Sequence, residues 1–374
     1  MCPKQLFGGL RGRSAADAEV PQALWLELCF RQNTPALGVT YDRMKCFDLS
    51  RIPFACALVE RLGVDASVTR DLLGPFGSQI RFFKVFASCG PPFASASLLQ
   101  GCPMSVLCCN ALFGILARRV ARISPHVEVT FFVDDSKMRG FLRYVDEMAR
   151  ACEEFSLFDQ LSGQRLNASK CTAFGTTTAA RTAARKLLPP GGQLVYHLLC
   201  LGFAVHSSKK GQQELANARC QKQFLPLRRI AHLPFTKDEK LKQVTNVVIP
   251  ALTYGVLASF PAWDLLMKLR SSVLNAVFSV TQKLREPNVL IAVGFVQHRL
   301  DPSSAAVYQV FLQLRRAVFA CDLARDAWNH VCDDTSVTKQ GPLAVLRSLS
   351  AFCIVRLVGI VLGLGLVPKM FPFR

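Results

Sequence analysis

Acidic residues are in short supply: 26 Asp and Glu stand against 45 Lys and Arg in 374 residues, a formal charge of +19 that exceeds what solubility requires. Such a surface attracts polyanions, either nucleic acid or an anionic membrane, with a merely basic soluble protein as the plain alternative. Zinc-ligand spacing is missing too. The 15 cysteines run from Cys2 to Cys353 without a CxxC pair or a Cys/His cluster, and Cys108 beside Cys109 suits neither a metal nor a simple disulfide. They read as small buried hydrophobes. Met1–Leu10 holds Pro3, Lys4 and two glycines and no apolar run, so no signal peptide is expected and the compartment should be reducing, cytosol or nucleus. Neither an internal repeat nor a low-complexity segment occurs. At 51% hydrophobic and 19% charged the chain is too apolar for disorder, and its length calls for two or three packed units.

A long uninterrupted apolar segment is also lacking. The stretch 351–367 is apolar except for Arg356, but it falls short of the roughly 20 residues of a membrane helix and contains Gly359, Gly363 and Gly365. A buried helix or a tail apart from the main fold is expected there, with a membrane span as the minor alternative.

What is present begins with alternation. Leu37, Val39 and Tyr41 predict a short strand ending at Asp42, and the pattern Ala55, Leu58, Val59, Leu62 predicts a helix stopped by Gly63. Residues 74–97, rich in Gly, Pro, Ser and Phe, suggest loops and short strands. Pro103 opens a helix to about Ile123, with Leu107, Leu112, Ile115, Leu116 and Val120 expected inside. Val127, Val129, Phe131 and Val133 predict a strand running into Asp134-Asp135 at a hairpin tip, followed by a turn and returning segment over Ser136–Gly140. A helix from about Leu142 to Phe158, a strand near Cys171–Phe174 and a strand candidate over Val195–Val205 come next. Between Ala204 and Thr245 nine Lys or Arg face three Asp or Glu in a helical pattern, which suits either a phosphate backbone or a solvated face.

Asp42 lies 92 positions before Asp134, yet neighbouring strands would bring the carboxylates together. Such a cluster suits two divalent ions that activate an attacking hydroxyl and stabilise a leaving pyrophosphate. A solvated turn is the plain alternative for an Asp-Asp pair. The surrounding segments are more specific. Asp42-Arg43-Met44-Lys45-Cys46-Phe47-Asp48 resembles the DxxKAFD motif of non-LTR retrotransposon reverse transcriptases. Gln100-Gly101-Cys102-Pro103-Met104-Ser105 resembles their QGCPLSP, and Phe132-Val133-Asp134-Asp135 their FADD or YADD box. Gly163-Gln164-Arg165-Leu166-Asn167-Ala168-Ser169-Lys170 is similar to their GLxLNxxK, with Gln164 in place of leucine. Leu201-Gly202 and Ile249-Pro250-Ala251-Leu252-Thr253-Tyr254-Gly255 fit the segments that follow, all in the family's order.

The resemblance implies an α+β polymerase palm, an antiparallel sheet backed by helices, with a helical thumb and a helical C-terminal region. By position these are a residual fingers segment (1–36), a palm (37–205), a thumb-like helical region (206–260) and a helical region of unknown role (261–374). It implies that Asp42, Asp134 and Asp135 hold two Mg²⁺ ions, with Mn²⁺ as an alternative. Phe47 would lie under the incoming sugar and exclude a 2′-hydroxyl, Gln100 and Gly101 would line the nucleotide pocket, and Lys170 would neutralise or protonate pyrophosphate. Phe47 also reads as core, Gln100-Gly101 as a turn, and Lys170 as a surface lysine. The implied partners are an RNA template, a DNA primer and dNTPs, with no small-molecule cofactor. Gly9-Leu10-Arg11-Gly12-Arg13-Ser14 with Asp17 is similar to the family's GFRxGRSTxD piece at the end of the fingers. The upstream fingers, an endonuclease domain and a CCHC knuckle are therefore expected to be missing. That leaves RNA-directed DNA synthesis and a catalytically inactive, truncated nucleic-acid-binding remnant as competing readings.

Overall fold

The computed structural model describes residues 4–81, 84–85, 88–90, 93–95, 97–206, 214–278 and 300–320, with 342 and 345. The apolar stretch 351–367 and the basic pair Lys209 and Lys210 lie outside the described residues. The chain divides into two units, one of Met1–Ala18 with Thr34–Tyr196, the other of Glu19–Asn33 with His197–Arg374.

Alternation decides the centre of the first unit. Strand β1 (Ala36–Tyr41) turns Leu37, Val39 and Tyr41 into the main apolar core, as period-two side chains require. Gly38 points the other way, against the ring of its register partner Phe174, where a Cβ would come within 2.5 Å of the ring. Helix α1 (Ala15–Arg31) precedes β1, and short pieces follow it: helices α2 (Cys46–Leu49), α3 (Ile52–Arg61) and α4 (Ala66–Leu73), then strands β2 (Gln79–Arg81), β3 (Lys84–Val85), β4 (Ser88–Cys89) and β5 (Phe93–Ser95). Gly63, at φ +97°, ends the turn after α3 in a backbone conformation that only glycine adopts without strain.

Helix α5 (Pro103–Ile123) starts at its proline and packs on α3 and on strand β6 (Glu128–Phe132). Its buried stripe runs through Ser105, Cys108, Cys109, Leu112, Phe113, Leu116, Ala117 and Val120. Leu107 and Ile115, expected inside, are exposed because they fall on the opposite face of that stripe. Among the described residues α5 is one helix long and apolar enough to cross a membrane, and its apolar stripe here lies in a protein core.

Strand β7 (Asp135–Phe141) returns directly from β6, so the hairpin turn is Val133-Asp134 and Asp135 is already in the strand. Of the turn and returning segment expected over Ser136–Gly140, the returning segment is β7, and the turn is corrected to the two residues before it. The 3₁₀ turn Leu142–Tyr144 and helix α6 (Val145–Ser162) follow, then β8 (Thr172–Gly175), α7 (Thr178–Lys186) and β9 (Gln193–Leu194). The sheet order is β6-β7-β1-β8-β9. Its first four strands pair antiparallel, but β9 joins β8 in parallel, so the sheet is mixed rather than antiparallel throughout. The helix α7 between β8 and β9 is the crossover that parallel pairing demands.

In the second unit the single strand expected over Val195–Val205 is a hairpin, β10 (His197–Cys200) and β11 (Phe203–His206), because Leu201 and Gly202 both take positive φ and fold the chain back. Helices α8 (Glu214–Lys222), α9 (Phe224–His232), α10 (Lys237–Gln243), α11 (Ile249–Thr253) and α12 (Trp263–Phe278) follow, with a π turn over Val244–Val248 and a further helix over Pro302–Ala320. Helix α12 buries Leu266, Leu269, Val273 and Val277 and packs on α9, α10 and the Pro302–Ala320 helix. Thr236 and Glu239 form a reciprocal capping box that starts α10.

Candidate functional site

Strand pairing brings the acidic positions to one end of the sheet. Tyr41 is opposite Ser136, and Phe132 is opposite Asp135, so the residue after β1, Asp42, emerges beside the β6–β7 turn that carries Asp134 and Asp135. The turn is unusual in its backbone. Val133 has φ +58°, a conformation that a β-branched side chain rarely accepts, and outliers of this kind gather at functional sites. The backbone of Gly8 is pressed against Val133, where a Cβ would come within 2.4 Å of Val133 Cγ2. The segment holding Gly8 is fixed by Phe131 N–H donating to Gln5 O (2.8 Å) and Phe7 N–H donating to Phe131 O (2.9 Å).

Beneath the turn lies a residue that the motif comparison passes over. Arg43, next to Asp42, has a fully buried side chain. Its Nε donates to Asp159 Oδ1 (2.8 Å), and its Nη1 donates to Ser136 Oγ (2.7 Å) and, at a longer 3.4 Å, to the carbonyl of Asp134. The guanidinium lies over the rings of Phe113 (4.8 Å) and Phe155 (5.6 Å). Burial pushes the Asp159 carboxyl above its usual range, and Arg43 opposes that shift. One signal was legible: Asp159 falls four residues after Phe155 on the buried stripe Met148, Ala151, Phe155, Phe158, Ser162 of α6. A carboxylate on an apolar stripe calls for a buried cation.

The segment after α6 braces Asp42 from the other side. Met44 N–H donates to Arg165 O and Asn167 N–H donates to Asp42 O, both at 2.8 Å. Lys170, an exposed side chain, is thereby set with Nζ 3.8 Å from Asp42 Oδ2. Gln164, the departure from the family pattern, is buried and donates from Nε2 to Cys46 O (3.1 Å) and Ser50 Oγ (3.0 Å), so it ties this segment to α2. Phe47 is half-buried against the core, and its carbonyl accepts from Leu98 N–H (3.1 Å). That bond brings the approach to Gln100 beside α2. Gln100 and Gly101 are exposed, and Gly101, at φ +86°, has open space where a Cβ would stand. Cys109 of α5 reaches toward the same end. Its thiol is held up by a hydrogen bond with Cys46, by burial and, more weakly, by nearby Asp134, so it stays protonated.

The oxygen donors at this end are of the kind that Mg²⁺ or Mn²⁺ takes. Among the described residues no group of three or more His, Cys, Asp or Glu side chains that could hold a metal ion occurs. Asp42 instead has the Lys170 ammonium for a neighbour.

In the second unit the basic segment is only partly outward. Lys222, Arg228, Arg229 and Lys242 are exposed. Lys240 donates to Ala231 O (2.9 Å), and Lys237 lies over the Phe278 ring at 4.3 Å. Arg219 turns inward, donating to the carbonyls of Gly202 and Tyr254, and burial pulls its pKa down. Exposed Leu225, Leu233, Phe235 and Val247 stand along the same stretch of chain.

No family model matches this sequence, and no curated protein matches it. Among solved structures the chain is similar to a telomerase from Candida albicans in complex with the TWJ fragment of telomeric RNA, at 12% identity and a TM-score of 0.44, covering 88% of this chain and 52% of that one. It is similar also to apo telomerase from Candida tropicalis, at 9% identity, TM-score 0.45, and 87% and 57% of the two chains. The same telomerase with the TWJ fragment gives 9% identity, TM-score 0.38, and 88% and 54%. The chain thus spans little more than half the length of these structures.

Proposed function

We propose that this chain is a nucleic-acid-binding domain of the reverse-transcriptase class whose palm, as arranged here, does not carry out nucleotidyl transfer. One observation carries the reading: Asp42 stands at the acidic end of the sheet with Lys170 Nζ 3.8 Å away, and it does not join Asp134 and Asp135 in a gathered group of three. An ammonium beside that carboxylate offsets part of the negative charge that would draw a divalent ion to it. The charge of +19 and the exposed Lys222, Arg228, Arg229 and Lys242 support contact with phosphates, so the proposed partners are an RNA template and a DNA primer.

A second reading is RNA-directed DNA polymerisation from dNTPs with Mg²⁺ or Mn²⁺. The strand register favours it, because Tyr41 opposite Ser136 sets Asp42 beside the Asp134-Asp135 turn. One experiment separates the two: anisotropy of labelled poly(rA)/oligo(dT) across a salt series, followed by dNTP incorporation with either ion, beside a D134A/D135A control. Binding that weakens steeply with salt, without incorporation, is the expected result. Absence of binding at low salt would sink the proposal, and incorporation lost in the control would replace it with the second reading.

A further inference from the structure

We propose that Arg43 is a positioning residue that holds the strained Val133-Asp134 turn, and with it Asp135, in one orientation. The inference rests on the reading of this end of the sheet as the functional one. Its geometry is specific. A single guanidinium bonds Ser136 Oγ at 2.7 Å and the Asp134 carbonyl at 3.4 Å, and so brackets Asp135 from both sides in sequence. The bracketing nitrogen is fixed from behind, because Nε of the same planar group is bonded to Asp159 Oδ1 at 2.8 Å and the group lies over the rings of Phe113 and Phe155.

The clamp leaves polar capacity unused. Arg43 Nη2 and Asp159 Oδ2 are buried without a hydrogen-bond partner among the described residues. A pair present only to fill the core would close as a two-pronged fork between guanidinium and carboxylate. Here Nη1 is committed to the turn, which is the arrangement expected if the orientation of the guanidinium is set by what it holds. The turn needs such a hold. Val133 at φ +58° resists its own conformation, Gly8 presses on it from one side, and Arg43 secures the residues after it.

The test is amide hydrogen exchange on the full chain, comparing the peptide across Phe131–Lys137 with that across β8. R43M/D159L removes both charges together, a change that buried ion pairs tolerate well. The expected result is protection of the turn reduced about tenfold or more, with β8 unchanged. R43K, which keeps the charge but cannot span Asp159 and the turn together, should lose turn protection as well, and it serves if the double variant does not fold. Adding V133G should restore protection, because glycine takes φ +58° without cost. Turn protection unchanged in R43K or in the double variant, or no recovery with V133G, would overturn the assignment. Primer–template binding by the unsubstituted chain is read separately: its absence would defeat the nucleic-acid reading and leave the exchange result to stand or fall alone.

Discussion

The Val133-Asp134 turn of the first unit and the Leu201-Gly202 turn of the second solve one problem in different ways. Both connect antiparallel strands through two residues, both put a branched aliphatic residue at positive φ, and both have a carbonyl held by an arginine that lies over an aromatic ring. In the second unit the glycine supplies half of the needed conformation, and the clamps are Arg219 and the Tyr254 phenol, which donates to Leu201 O at 2.6 Å. All the groups that these clamps hold are neutral carbonyls. In the first unit no glycine relieves the turn, two carboxylates follow the strained valine, and the arginine is fully buried against a third, Asp159. The difference teaches that the same backbone device serves packing where its partners are neutral and becomes a demanding electrostatic arrangement where they are charged.

The sharpest way to break that comparison is to remove each arginine. R43M leaves Asp159 buried and alone, and should cost on the order of 3–5 kcal/mol in denaturant unfolding. R219M loses bonds to neutral carbonyls only, and should cost about 1–3 kcal/mol. Equal costs would mean that the two clamps are alike. Next in size, G202A forces a Cβ into the left-handed region and to 2.9 Å from the Tyr254 ring, with an expected loss of about 2 kcal/mol by the same measurement. Y254F removes the phenol's bond to Leu201 and should cost about 1 kcal/mol.

The last contrast concerns binding. R228A/R229A should weaken primer–template affinity and lower the salt dependence by about one unit of slope per arginine, whereas D134A/D135A should leave both nearly unchanged. If the carboxylate variant shifts affinity more than the arginine variant, the proposed division between an acidic end that is held and exposed arginines that bind is wrong.

Much of this was legible before any coordinates. The alternation Leu37, Val39, Tyr41 and the stop at Gly63 are local rules, and the strand and helix follow them. Pro103 marked the start of α5, but the face that α5 buries was misread at Leu107 and Ile115, since small Cys108, Cys109 and Ala117 are what the core receives. At the site, Asp42, Asp134 and Asp135 were legible as types and Lys170 as a candidate near them. Arg43 was not, because an arginine after a strand gives no local sign of whether it turns inward. Gln164 stood out only as a departure, and its bonds to Cys46 and Ser50 show what it holds.

Sequence alone determined the elements with short-range causes: strands from alternation, helix starts from proline, stops from glycine, and the excess of basic charge over acidic. The tertiary structure decided the rest: β9 parallel to β8, the register that sets Asp42 beside Asp135, Lys170 near Asp42, and Arg43 clamped between Asp159 and the turn. The reason is one of range. Dihedral preferences and helix bonds act within a few residues, whereas Arg43 and Asp159, 116 positions apart, meet only because the sheet and α6 bury them against the same core.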